Sequence, residues 1–283
     1  MNNLNRTLKL AGIYLFLIVL SLISIGPFLW IISTAFKGPD ENIFSYPPQF
    51  IPEHFTFQNI VFVWNSVPFV RYFINSIIVS SATVFLNLLL SSLAGYALAR
   101  ISFKGRDIIF YAILATIMIP FQVIMIPVYL IILKLQLVDT ISPVAGYLGL
   151  ILPFAVNAFG IFLMRQAFLS IPKELEEAAI IDGCSHFDIW FRVMLPLTIP
   201  SLATLAIFTF VGSWGEFLWP SIVLTNPQMY TLPVGLNDLQ GSFSTNWRYI
   251  AAGTIIAMTP IVIFFLIMQK QFLKGSTEGA IKG

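Results

Sequence analysis

Two stretches of this sequence hold residues whose type and spacing permit chemistry. The first is Trp214-Gly215-Glu216-Phe217-Leu218-Trp219, where Glu216 is the one acid in an otherwise uncharged run. A charge in a lipid-like interior costs roughly 2.5–3.5 kcal/mol on insertion scales, so such a carboxylate tends to face a cavity or a partner. Its place about 19 residues into the run leaves a second reading open, a structural pair at an interface where tryptophan belts are ordinary. Asn87 and Asn157 are polar residues in other apolar runs; each reads either as a path-lining group or as hydrogen-bonding glue between helices.

The second stretch is residues 165–196, which packs five acids (Glu174, Glu176, Glu177, Asp182 and Asp188) into 32 residues. Pro172 suits a first helical position, and Glu174, Glu176 and Glu177 follow where the helix dipole favours anions. Gly183 can take the left-handed conformation that ends a helix. Ser185 with Asp188 three residues on forms a capping-box pattern that starts another, which Pro196 closes. Two short helices meeting at Gly183 are expected. Small Ala178 and Ala179 allow close approach and Glu177 offers a charge beside them, the make-up of a docking element for another protein.

Other chemistries are excluded. Cys184 is the single cysteine and the two histidines, His54 and His186, stand far apart, so neither a disulfide nor a cysteine- or histidine-rich metal site is expected. No Gly-Lys dipeptide occurs, so the chain lacks a P-loop for nucleotide phosphates. No nucleophile, base and carboxylate converge on one site as catalysis requires, so no catalytic residue and no cofactor is expected in this chain.

The elements that must position these residues follow from composition. Of 283 residues 58% are hydrophobic and 10% charged, with a mean hydropathy of +0.87. A soluble domain carries about 25% charged residues, so this chain is an integral membrane protein. A net charge of +2 leaves no basic patch for nucleic acid. A bilayer core about 30 Å thick needs roughly 20 apolar residues per spanning helix. Charge-poor runs then predict an all-α fold of six spans, near 11–36, 72–99, 108–133, 142–164, 197–220 and 249–269, in a single domain over 1–283. The first run is too long for a signal h-region and is read as retained. Eleven Lys and Arg fall on the side of the 165–196 loop and four on the other, which makes the loop and both termini cytoplasmic.

Prolines 27, 120, 127, 153, 200, 220 and 260 lie in these runs; they suit helices that kink, although proline is also simply common in membrane helices. Ser91, Gly95 and Ala99 form a small-residue ridge for close helix packing. The outer segment from Lys37 to Val70, rich in proline, reads as a loop ordered by contacts with one short helix near residues 59–64. A second outer loop, about 226–248, carries Asn237, Asp238, Gln240 and Trp247; either loop reads as a partner surface or as a passive cap.

Glu177-Ala178-Ala179, Gly183, Val193 and Leu195-Pro196 resemble, in type and spacing, the EAA motif of ABC importer permeases, with Val193 where the family usually has Ile. Ala94-Gly95-Tyr96-Ala97-Leu98-Ala99-Arg100, Glu216-Phe217-Leu218-Trp219-Pro220 and the tail Gly279-Ala280-Ile281-Lys282-Gly283 are similar to the MalG-like permeases of binding-protein-dependent carbohydrate importers, and the likeness covers essentially the whole chain. The resemblance implies a type I permease of a prokaryotic cytoplasmic (inner) membrane, paired with a homologous second permease, two copies of an ABC ATPase that bind ATP and Mg, and an extracytoplasmic substrate-binding protein. It assigns ATPase coupling to Glu177, Ala178, Ala179, Asp182, Gly183, Leu195 and Pro196, and implies that the tail from Lys274 to Gly283 can also reach the ATPase pair. In a sugar path, Trp214 and Trp219 would stack on a ring while Glu216 accepts hydroxyl hydrogens, with Asn87 and Asn157 further along. A polyol phosphate such as glycerol phosphate is the alternative cargo, and a stand-alone secondary transporter the alternative class.

Overall fold

The computed structural model describes residues 3–242 and 246–278, with side chains over 9–237 and 246–271. Every regular element among them is helical. In chain order these are α1 (Asn3–Phe36), α2 (Gln58–Ser66), α3 (Phe69–Arg100), α4 (Arg106–Ala115), α5 (Phe121–Lys134), α6 (Pro143–Ile151), α7 (Ala158–Leu169), α8 (Lys173–Ile181), α9 (His186–Leu197), α10 (Ile199–Trp214), α11 (Leu218–Val223), α12 (Leu232–Ser242) and α13 (Trp247–Glu278).

Three segments are long and apolar enough to cross a bilayer unbroken: Lys9–Phe36, Phe69–Arg100 and Trp247–Gln271. Three more candidates are bent pairs, α4 with α5 at 103°, α6 with α7 at 55° and α9 with α10 at 81°; counted as one span each, they make six among the described residues. The runs 108–133 and 142–164 are therefore not the straight helices their hydropathy suggests. Pro120 has extended backbone (ψ 138) and no N–H to continue a helix, so α5 starts afresh after it. Asn157 is likewise extended (φ −137, ψ 157), and its side chain accepts from Gly160 N–H at 2.6 Å, capping α7. The run 197–220 also divides: α10 ends at Trp214, Gly215 follows as its cap, and α11 begins at Leu218. Pro27, Pro127 and Pro260 sit inside helices that continue through them, so proline marks a break only where its neighbours cannot carry the ladder past it.

The chain divides into two compact units, Met1–Phe69 with Leu236–Thr259, and Val70–Gly235 with Pro260–Gly283. In the first, the proline-rich loop is organised by one carboxylate. Glu41, 7% exposed, accepts N–H bonds from Gly38 (3.0 Å), His54 (2.9 Å) and Glu53 (3.0 Å). Its own carbonyl accepts from the Arg248 guanidinium. Beside it the fully buried Lys37 donates to the Gln49 carbonyl at 2.8 Å, and Asn59 of α2 donates to the carbonyls of Ala35 and Lys37 at 2.9 Å each. The short helix expected near 59–64 is α2, and Phe62 stacks on Tyr249 with ring centroids 4.1 Å apart.

Burial pushes the Glu41 carboxyl up, but the three N–H donors and the Lys37 charge outweigh it and hold it below its ordinary 4.5. The folded loop thus favours the ionised form. The stabilisation is complete above the unfolded value near 4.5 and is lost as pH falls through the lower folded value. Limited proteolysis within residues 38–56 is expected to accelerate on acidification below about pH 4.5, and in Glu41→Gln to be fast already at pH 7 with little further change. Equal cleavage of the two proteins at pH 7 refutes this role for the carboxylate.

The second unit is built on α3. Tyr96 and Ala99 pack with Met164 and Phe168 of α7, Ala179 of α8, Ile189, Trp190 and Met194 of α9, and Leu205 of α10. The small-residue ridge is the surface where α7 crosses: a Cβ on Gly95 would stand 2.8 Å from Met164 Cβ, and one on Gly160 would stand 2.5 Å from Ser91 Oγ. A second cluster joins Val79 of α3, Ile132 of α5, Leu150 and Ile151 of α6 and Trp219 and Val223 of α11. Asp139 fastens the 225–226 turn to this cluster, accepting from the N–H groups of Thr225 (2.8 Å) and Asn226 (2.6 Å).

Candidate functional site

The elbow at 165–196 takes the shape that local rules dictate. Pro172 is extended and stands just outside α8 rather than within it, because its ψ of 138 is not helical. Glu174 and Glu176 occupy the first turn, where unpaired N–H groups favour anions. At the other end Gly183 has φ +81, with Gly183 N–H bonded to the Ile180 carbonyl and Cys184 N–H to the Ala179 carbonyl, each at 3.0 Å. These paired bonds close a helix through a left-handed residue, which costs glycine nothing. Ser185 and Asp188 form the capping box that opens α9: Asp188 N–H donates to Ser185 Oγ at 3.2 Å and Ser185 N–H to Asp188 Oδ2 at 3.3 Å. The middle of α9, Ile189–Met194, is wound as a π-helix. Leu195 is half-buried and Pro196 exposed, and α9 runs one residue past Pro196 before the turn at Thr198.

Tertiary packing then divides the acids of α8. Glu176 faces inward and is 9% exposed, with Oε2 lying 3.5 Å from Arg100 Nη1 and Oε1 accepting from the Tyr96 hydroxyl at 3.5 Å. Ala179 is buried against Tyr96 and Phe168. Glu177, Ala178 and Asp182 are exposed, as are Leu175, Ile180 and Ile181, the last at 86%. The exposed surface of α8 and its C-terminal cap therefore sets small and apolar residues beside the carboxylates of Glu174, Glu177 and Asp182, none of which takes a partner among the described residues. Tyr96, Arg100 and Glu176 hold the elbow to the unit; the sequence marks the first two only as part of a family-like stretch and the third only as one of the acids, and gives none of them a tethering role. A signal for that role is the cation Arg100 closing a 28-residue uncharged run on the same side as the acids.

The second locus is a cavity of about 200 Å³ within the same unit, lined among others by Thr83, Asn157, Thr209, Glu216, Trp219 and Thr231. Glu216 is not inside a spanning helix. It occupies the break between α10 and α11, half-buried, where Oε1 accepts from Trp219 N–H at 3.0 Å and starts α11. Trp219 is 1% exposed; its indole N–H donates to the Gly149 carbonyl at 3.1 Å and its ring meets Phe121 edge-on. Trp214 lies away from the cavity, buried between Phe73 and Phe210. The two indoles thus form no shared stacking platform, because the break at Gly215 separates their helices. Asn87 is also withdrawn: fully buried, it donates to the Phe154 carbonyl at 3.3 Å and accepts from Ser91, which is the glue role. Asn157 both caps α7 and lines the cavity.

What the sequence did not single out is the cavity's hydroxyls. Thr83 and Thr231 are 2% and 4% exposed, and their Oγ1 atoms, with that of Thr209, find no partner among the described residues. A buried hydroxyl left unpaired costs about 1–3 kcal/mol, so a guest with hydrogen-bonding groups is favoured over an apolar one. In the second outer loop side chains are described through Asn237 and again from Asn246, so those of Asp238 and Gln240 lie outside the described side chains, as does that of Lys274. The tail motif at 279–283 lies outside the described residues altogether.

A helical membrane chain with a Gly-bent acidic elbow between its fourth and fifth candidate spans invites comparison with transport proteins. Residues 87–276 match the family described as binding-protein-dependent transport system inner membrane component. The chain belongs to this family. The arabinooligosaccharides transport system permease protein AraQ of Halalkalibacterium halodurans is 42% identical over 235 residues, covering 83% of this chain and 82% of that one. AraQ of Bacillus subtilis is 37% identical over 272 residues, 95% of this chain and 94% of that one. Among solved structures, a bacterial ABC transporter involved in import of the acidic polysaccharide alginate aligns with a TM-score of 0.80 at 24% identity, over 96% of this chain and 99% of that one. This family member is a multi-pass inner-membrane permease, a transporter subunit rather than an enzyme. Its matched region begins at Asn87 in the middle of α3 and contains both the elbow and most of the cavity wall.

Proposed function

We propose that this permease passes a sugar or short oligosaccharide inward across the membrane, driven by ATP hydrolysis on a separate ATPase that grips the exposed face of α8. The observation that carries the coupling role is the division of labour on α8: Glu176 and Ala179 are turned into the unit while Glu177, Ala178 and Ile181 are left outside. A helix held rigidly on one side and bare on the other moves as one piece with whatever docks on it. Gly183 sets the angle between α8 and α9, and Leu195 and Pro196 lead the movement toward α10. Charge complementarity selects a basic residue on the ATPase opposite Glu177. ATP and Mg belong to that partner. A second, homologous permease completes the solute path, and an extracytoplasmic binding protein delivers the cargo.

The carbohydrate reading rests on the relatives' arabinooligosaccharide systems together with the cavity chemistry. Thr83, Thr209 and Thr231 offer hydroxyls, Asn157 an amide and Glu216 a carboxylate oxygen beyond the one used in capping, a set suited to a polyhydroxylated guest. Solute binding biases the transporter only through different contacts in its inward- and outward-open states.

The test is affinity purification of the tagged chain from native membranes, reconstitution, and uptake of radiolabelled oligosaccharides in the presence of ATP. An ABC ATPase that co-purifies, with ATP-dependent uptake of at least one sugar, is the expected result. Uptake without any ATPase, driven by an ion gradient, refutes it. Uptake of glycerol phosphate but of no sugar removes the carbohydrate assignment alone.

A further inference from the structure

Arg100 ends α3 with a side chain that is only 3% exposed. Its Nη2 donates to the carbonyls of Phe168 and Ile171 at 2.5 Å each, and its Nη1 lies 3.5 Å from Glu176. One turn earlier Tyr96 sets its hydroxyl 3.5 Å from Glu176 and 3.4 Å from His186 Nδ1. From the other side, Arg165 of α7 donates to the Leu98 carbonyl at 3.2 Å, with its guanidinium 3.9 Å over the Phe110 ring. The last turn of α3 is therefore tied to the end of α7, to the turn that follows it, to α8 and to the first turn of α9.

Stability alone does not explain such a knot. Burying two charges costs several kcal/mol each, and apolar side chains of similar volume commonly serve as well or better. What a guanidinium adds is a planar fork that fixes direction and length to several acceptors at once. Connectivity gives this stiffness a use. The elbow continues along the chain into α7 on one side and α10 on the other, whereas Arg100 and Glu176 are 76 positions apart in sequence and meet through their side chains.

We propose that Arg100 is a positioning residue for transport: through Glu176 and Tyr96 it hands the displacement of the α8–α9 elbow directly to α3. This rests on the reading of α8 as the ATPase dock. Adjacent acids on one helix then serve opposite directions, Glu177 receiving the movement and Glu176 delivering it.

The experiment uses the assembled importer with its partner subunits, in nanodiscs, on a Cys184→Ser background. Ile181→Cys reports docking by cross-linking to the ATPase. In a separate preparation, spin labels at Val70→Cys on α3 and Val144→Cys on α6 report movement of α3 when ATP and vanadate are added. Arg100→Met/Glu176→Leu exchanges the pair for apolar residues without stranding a charge. It is expected to keep the cross-link and ATP hydrolysis while the population showing the α3 displacement falls by about tenfold, an ordinary size for coupling between sites. Arg100→Lys keeps the charge but gathers its donors on one nitrogen of a flexible stem, without the planar fork that serves the two carbonyls and Glu176 from separate nitrogens, so an intermediate loss is expected; it stands as the second test should the double variant not fold. Wild-type displacement in either variant, with the cross-link intact, overturns the proposal and leaves the docking reading standing. A wild-type importer that gives no cross-link at Ile181 overturns the docking reading and this proposal with it.

Discussion

Replacing Glu177 by alanine is expected to lower ATP-driven uptake by the assembled importer at least tenfold, and to leave the isolated chain as stable as before. The reasoning comes from what Glu177 does not touch. Its carboxylate is exposed and takes no hydrogen bond or ion pair among the described residues. Alanine is also the better helix former, so α8 itself is not weakened. An exposed charge with no partner contributes almost nothing to a fold. Covered by a basic residue of a docked ATPase, the same charge is desolvated, and truncating one member of such a pair costs about 2–5 kcal/mol in the complex. The loss therefore appears only on assembly: the variant shows unchanged melting alone, weaker ATPase retention on purification and lower uptake per ATP. Wild-type uptake per ATP in the reconstituted variant refutes the assignment. Glu176→Ala makes a contrasting case, because it strands the buried Arg100 and is expected to destabilise the chain before any partner is added.

The second large effect is expected at Gly95. A Cβ there would lie 2.8 Å from Met164 Cβ and 2.9 Å from the Arg165 backbone nitrogen. A flexible side-chain end could give way, but a helix backbone cannot, so Gly95→Val must force α3 and α7 apart. Overpacking of this kind costs about 1–3 kcal/mol and sometimes more. Here the separation also pulls on the bonds from Arg100 to Phe168 and Ile171 and from Arg165 to Leu98. A drop in melting temperature of several degrees in detergent is expected, with loss of transport. Gly26→Val in α1, where a Cβ meets nothing within 4 Å, is the matched control and is expected to change neither melting nor helix content. Equal melting of the two variants refutes the close-packing account of the Ser91-Gly95-Ala99 ridge.

Much of this molecule is written in local rules. Charge-free runs marked the apolar segments because lipid tolerates few ions. The left-handed Gly183 and the Ser185–Asp188 capping box were legible because each depends on a handful of neighbouring residues and on backbone chemistry that holds in any context. The ridge on α3 was legible because side-chain size limits how near two helices can come.

Other features required the folded chain. In α8 acids stand at adjacent positions on several sides, so sequence could not tell that Glu176 is buried and Glu177 exposed. In the apolar runs periodicity does not say which face meets protein and which meets lipid, so it could not tell that Asn87 is spent on a carbonyl while Asn157 reaches a cavity. Nor could it tell which prolines break their helices. Pro120 opens a 103° bend, while α5 continues through Pro127 only seven residues later. Trp214 and Trp219, five residues apart, suggest by sequence a shared stacking platform, yet the helix break at Gly215 sends one into the packing around Phe210 and the other to Gly149. The physical reason is common to all of these. Helix ends, caps and spans are decided within a turn or two of chain, whereas burial, pairing of charges and the cavity's unpartnered threonines are decided by residues tens of positions away that only tertiary packing brings together.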